Sequence, residues 1–237
     1  MDLELVFKDF CNKLRTRTEF TSEDTVRYYW FASMLEKGID KTVNHYSLEE
    51  PYDSSKLKAK IKGLNRQELD LWYKNGRRPY NEFAMEIKYH RQSKSDYAKT
   101  SAAGSIFGDL LRLLEFSKLA SNDGKRLFLY VTDDVMDEYL GFKKRSKKNL
   151  RYRRLLRKFY ELPKDTPCYI APLNTISAPS SFTESAFASF NDNDAPLINL
   201  NIQLLYCYDN VNCHVRLYEV LGNSCGVNIE NMLIEIQ

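Results

Sequence analysis

The stretch ELDLWYKNGRRPYNEFAMEIK, residues 68–88, decides how the chain is read. It reads as two short strands joined by a turn. Asp70 lies near the start of the first strand, and Glu86 and Lys88 stand two apart on the second. Side chains of a strand alternate faces, so Glu86 and Lys88 point the same way, as do Glu68 and Asp70. Leu69, Leu71 and Tyr73 form the other face of the first strand; Phe83, Met85 and Ile87 form that of the second. A tight Asn75-Gly76 turn would pair Lys74 with Arg77 and set Asp70 opposite Asn81. A longer loop over residues 75–80 pairs Lys74 with Asn81 or Glu82 and sets Asp70 opposite Met85 or Glu86. Asn-Gly is a strong two-residue hairpin signal. Pro79, with no N–H for a ladder, favours the longer loop.

Two carboxylates and a lysine converging on a strand pair can do chemistry. Mg²⁺ takes oxygen ligands from one or two carboxylates, with water and substrate phosphate completing its shell. A nearby ammonium positions the attacking water and offsets phosphate charge. The structural alternative is a cross-strand ion pair on a solvated face. The pattern Asp70, spacer, Glu86-Ile87-Lys88 resembles the catalytic core of the PD-(D/E)XK nuclease superfamily, with Leu69 where a proline often precedes the aspartate. That resemblance implies Asp70 and Glu86 as ligands of Mg²⁺ (or Mn²⁺), the Ile87 carbonyl as a further ligand, and Lys88 orienting water. It also implies a helix before the first strand whose glutamate faces the site. Glu23 is carried over, with Glu36 a weaker candidate; an ordinary helix-start residue paired with Arg27 is the alternative for Glu23.

The elements fit that order. Residues 2–15 carry Leu3, Val6, Phe7, Phe10 and Leu14 at helical spacing. A second helix starts after Thr21 or Ser22 as cap, with Glu23 and Asp24 in its first turn, and stops at Gly38. Residues 41–49 read as a strand, and the lysine-rich residues 50–66 as a mobile segment or an extra helix. Residues 102–120 make a helix with a broad apolar face, on which Asp109 and Arg112 read as a surface ion pair. Residues 126–132 are an almost wholly apolar run, hence a buried central strand. Strand, helix and strand form a crossover unit. Asp133-Asp134 caps the next helix.

Net charge is only +3, but ten Lys or Arg and no acid lie between residues 143 and 158. Leu150, Leu155, Leu156, Phe159 and Tyr160 interleave with them as in a basic amphipathic helix. A solvated face or an acidic partner would explain such a run; beside a nuclease-like site, DNA contact is favoured. The phosphate-contacting candidates are Lys143, Lys144, Arg145, Lys147, Lys148, Arg151 and Arg154, with His90 and Arg91 beyond the catalytic strand. Residues 163–196 hold five prolines and many Ser, Thr and Asn, and read as irregular, with residues 177–194 a mobile loop. Residues 197–207 and 215–221 read as a hairpin, and residues 228–236 as a short strand or helix.

A length of 237 residues and 43% hydrophobic content suit one large domain or a core with an appendage. Five cysteines without a Cys-x-x-Cys pair speak against a disulfide framework or zinc site and for the cytoplasm. Neither a signal peptide nor a membrane span is expected. The expected architecture is α/β: a mixed sheet flanked by helices over residues 1–162, with a β-rich extension over 163–237. The expected function is a Mg²⁺-dependent DNA endonuclease of restriction or phage-defence type, acting as a homodimer. The alternatives are a non-catalytic nucleic-acid-binding protein and an RNA nuclease.

Overall fold

The structure, a computed structural model, describes residues 2–16, 22–37, 42–58, 67–74, 82–91, 96–119, 124–141, 150–170, 178–191 and 200–221. It is an α/β fold built on one seven-stranded mixed sheet with the order β1-β2-β3-β4-β7-β6-β5. The strands are β1 (Tyr46–Pro51), β2 (Glu68–Tyr73), β3 (Phe83–His90), β4 (Lys125–Thr132), β5 (Pro167–Ile170), β6 (Leu200–Asn210) and β7 (Cys213–Leu221). The helices are α1 (Leu3–Arg15), α2 (Glu23–Lys37), α3 (Asp96–Leu114), α4 (Asp134–Leu140), α5 (Leu150–Tyr160) and α6 (Ser180–Phe187). No helix among the described residues is long and apolar enough to cross a membrane.

Two apolar cores lie on opposite faces of the sheet. Val6, Phe7, Phe10 and Leu14 of α1 and Val26, Trp30 and Met34 of α2 cover Leu71, Tyr73, Phe83, Met85, Ile87, Leu127, Leu129, Val131, Val215 and Leu217. On the other face, α3, α4, α5 and α6 cover Ala84, Phe128, Tyr130, Ile202, Leu204, Tyr218 and Val220. The central strands are therefore apolar on both sides, as a sheet covered on both faces requires. Leu69 departs from its expected face and joins the α3–α6 core.

β2 and β3 are antiparallel with Leu71 opposite Met85, Trp72 opposite Ala84 and Tyr73 opposite Phe83. Continued by one residue, that register sets Asp70 beside Glu86, the longer-loop solution. β3 and β4 are parallel across α3, so the crossover unit is present. Other expectations shift. A short 3₁₀ turn (Val43–His45) precedes β1, and β1 runs on to Pro51. Tyr52, inside the lysine-rich segment read as mobile or helical, is buried. Helix α3 spans Asp96–Leu114 rather than 102–120. The region read as a mobile loop contains α6, against which Gly104 of α3 is so close that a Cβ there would lie 2.3 Å from the Phe182 carbonyl oxygen. Residues 197–199 and 228–236 lie outside the described residues. β7 pairs with β4, so the C-terminal hairpin continues the same sheet.

Candidate active site

The site forms where β2 and β3 part. Described pairing between them ends at Leu71 and Met85, and beyond that point β3 still has backbone donors on its β2 side. Two carboxylates take them. Asp70 Oδ2 accepts from Ile87 N–H at 2.6 Å, and Glu23 Oε2, from the first turn of α2, accepts from Tyr89 N–H at 3.3 Å. Two side chains thus stand in for a missing ladder partner, which satisfies the buried amides and fixes both carboxylates at the fork. In a strand the N–H and C=O of a residue point to the same side, so the Ile87 carbonyl faces the fork as well.

Glu86 projects toward α3 and is 2% exposed. Its Oε1 accepts from the Tyr52 hydroxyl at 2.6 Å and from Arg112 Nη2 at 3.2 Å. Arg112 also lies 2.8 Å from Asp109. Lys88 stands between Asp109 at 3.5 Å and Glu23 at 3.6 Å. Arg27, one turn into α2, bridges Asp70 Oδ1 at 2.6 Å and Glu23 at 3.0 Å. Four carboxylates and three cations thus converge, leaving a formal charge of one negative.

The electrostatics suit a cation. Burial, and then the neighbouring charge of Glu86, push the Asp70 carboxyl up to about 9, although Arg27 pulls the other way. Burial also raises Glu86, against the pull of Arg112. Burial works against the Lys88 ammonium, but Asp109 and Glu23 outweigh it, so its pKa is raised and the side chain stays charged. Burial and then Glu86 keep the Tyr52 phenol protonated, as a donor. Two adjacent buried carboxylates costly to ionise together, flanked by a strand carbonyl, fit the hard-oxygen donor set of Mg²⁺.

Asp70, Glu86, Lys88 and Glu23 are all brought together, and the Glu23–Arg27 pair forms as well. Glu36 is elsewhere, 2.9 Å from Lys13. Asp109 and Arg112, expected on the surface, are members of the site, Asp109 buried and Arg112 partly so. Tyr52 was not anticipated at all, because its position in a polar segment gives no sign of a contact 34 residues away. The His90 ring is held inside the fold, its nitrogens 3.2 Å from the Tyr130 hydroxyl and 3.3 Å from the Ser105 hydroxyl. Burial, and then Lys88, depress its pKa to about 3. Arg91 follows the strand and is exposed. Helix α5 buries Tyr152, Leu155, Leu156, Phe159 and Tyr160 and turns Arg154, Arg157 and Lys158 outward. Lys143, Lys144, Arg145, Lys147 and Lys148 lie outside the described residues, as does the side chain of Arg151. No family model, no curated protein and no solved structure matches this chain.

Proposed function

We propose that the chain is a Mg²⁺-dependent endonuclease that hydrolyses DNA phosphodiester bonds, a member of the PD-(D/E)XK superfamily in its active form. The observation that carries this reading is the fork itself. Asp70 and Glu86 come from two strands, meet side by side, and are joined there by Lys88 and Glu23, with Asp70 fixed by the Ile87 amide at 2.6 Å. Asp70, Glu86 and the Ile87 carbonyl would hold the metal. A bound Mg²⁺ supplies Lewis-acid polarisation of the phosphate and a more acidic water.

The remaining steps belong to the chain. Lys88, kept charged by Asp109 and Glu23, acts as a donor that orients water and stabilises negative charge on the phosphate, rather than as a base. Glu23, within reach of Lys88, accepts a hydrogen bond from the water in that position. Tyr52 and Arg112 hold Glu86 in one orientation from behind. The outward basic residues of α5 supply phosphate contacts along the strand. Tyr152 of α5 meets Tyr139, which meets Thr100 of α3.

The test is cleavage of supercoiled and linear DNA, with and without Mg²⁺, beside Lys88→Ala and Glu86→Gln. Metal-dependent cutting that falls at least a hundredfold in both variants is expected. Wild-type protein inert on DNA and RNA, yet binding DNA with steep salt dependence, would replace the enzyme with a binding module. Cutting of RNA alone would change the substrate and keep the site.

A further inference from the structure

A second constellation lies on the same sheet at the start of β7, where the β6–β7 hairpin meets α4. His214 of β7 stands opposite Asp209 of β6 in the ladder. Its Nε2 faces Asp134 Oδ1 at 2.8 Å. That same oxygen accepts from the Asn212 amide at 3.0 Å. With a proton on Nε2 donated to Asp134, a neutral ring keeps its lone pair on Nδ1. Nδ1 faces two further carboxylate oxygens, Asp209 Oδ1 at 2.9 Å and Asp137 Oδ1 at 3.5 Å. Asp137 is buried and is oriented by the Tyr160 hydroxyl at 2.8 Å.

We propose that Asp137, Asp209 and His214 bind one Zn²⁺, independently of the nuclease-like site. Zinc bonded to nitrogen and oxygen at about 2.0–2.2 Å in a tetrahedron places its ligand atoms about 3.4 Å apart, and the two separations from Nδ1 bracket that figure. The contact of Asp134 on Nε2 is the outer carboxylate that zinc-bound histidines characteristically have, fixing both tautomer and ring plane. Charge agrees as well. Beside Asp134, Asp137 and Asp209 stands the Arg216 guanidinium, whose Nη1 lies 2.7 Å from Asp209 Oδ1. With a neutral imidazole these residues together carry two net negative charges, which a divalent cation cancels. Asp137, Asp209, His214 and Arg216 line a cavity of about 340 Å³, which gives an entry path and room for a water as fourth ligand. The soft–hard balance of one imidazole and two carboxylates selects zinc over Mg²⁺. A bound ion would tie α4, which follows β4, to the hairpin that completes the sheet.

The alternative is an imidazolium bridging Asp134 and Asp209 with no metal. Chelator-stripped full-length protein carrying Asp70→Asn and Glu86→Gln, so that the first site contributes nothing, is titrated with ZnCl₂ by calorimetry. Bound metal is then counted after gel filtration. One zinc per chain is expected, with a rise in melting temperature. Asp209→Asn, which keeps a side-chain oxygen for the Arg216 guanidinium to donate to, is expected to weaken binding at least tenfold and to abolish the rise. No zinc retained, or unchanged zinc binding in a folded Asp209→Asn protein, would overturn the assignment.

Discussion

Arg112 is the counter-charge of two carboxylates at once, Glu86 at 3.2 Å and Asp109 at 2.8 Å, and all three side chains are largely out of water. Removing one partner of a buried charge cluster leaves the others unpaired, a loss of about 3–5 kcal/mol. Arg112→Met is therefore expected to lower unfolding free energy by about that much in urea titrations. Asp109→Asn, which keeps shape and hydrogen bonding, is expected to lower it less. His90 gives a pH prediction. Its pKa is about 3 in the folded protein against an ordinary 6.5, so below pH 6.5 the unfolded chain takes up a proton that the folded chain refuses. Stability is fully present above 6.5 and declines as pH falls toward 3, by at most about 1.4 kcal/mol per pH unit from this group. Groups facing the ring are Lys88 on its own strand, Tyr130 of β4 and Ser105 of α3. Urea titrations at pH 7, 6 and 5 should show wild type losing more stability than His90→Gln, and equal losses would refute the assignment. At this scale Asp70, Glu86 and Lys88 were legible because a period of two and a Pro-bearing loop fix their faces and register. Asp109 and Arg112 were not. Their i, i+3 spacing satisfies each inside one helix, so the same pair serves a surface or a core, and only the approach of β3 decides between them.

Helix α3 is tied to its neighbour by what it lacks. A Cβ on Gly104 would meet the Phe182 carbonyl oxygen at 2.3 Å and the Ser185 Cβ at 2.9 Å; one on Gly108 would meet the Ala186 carbonyl oxygen at 3.0 Å. Alanine gains about 1 kcal/mol of helix propensity over glycine. At Gly104 the obstruction is backbone that cannot swing aside, and overpacking costs about 1–3 kcal/mol or more. Gly104→Ala is expected to be net destabilising by chemical denaturation, and Gly108→Ala close to neutral. Helix α6 itself was hidden in the sequence: eight residues, SSFTESAF, preceded by Pro179 and flanked by polar residues, read as loop. It becomes a helix because Phe182 and Ala186 bury against α3, a tertiary cause without a strong local signal. The basic amphipathic α5 was legible because Leu155, Leu156, Phe159 and Tyr160 recur at helical spacing between the charges. Replacing both Arg154 and Lys158 by glutamate is expected to weaken DNA binding and to flatten the log–log salt dependence by about 1 for each phosphate that is no longer neutralised. An unchanged slope would separate α5 from the substrate path.

The whole molecule is held by a sheet that does not follow chain order. β4 pairs in parallel with β3 on one side and antiparallel with β7 on the other, from Leu127–Glu219 to Thr132–His214. Sequence reading supplied helices α1 to α5 and every strand but β5, and it missed β5 and α6. It did not supply the β4–β7 pairing, because hydrophobic periodicity reports which residues are buried and not which strand lies alongside. Truncation after residue 162 should therefore give a chain without a cooperative unfolding transition by circular dichroism, since β4 would lose its whole β7 edge. A cooperatively folding fragment would show that β1 to α5 stands alone. The same pairing bears on how the protein is made. During synthesis β4 leaves the ribosome about eighty residues ahead of its partner in β7. At roughly 5–20 residues per second that is a wait of about 4–16 s. Throughout that interval the apolar centre of the finished sheet is an open edge, so the nascent chain must be sheltered, or the emerging helices must cover β4 until the hairpin arrives.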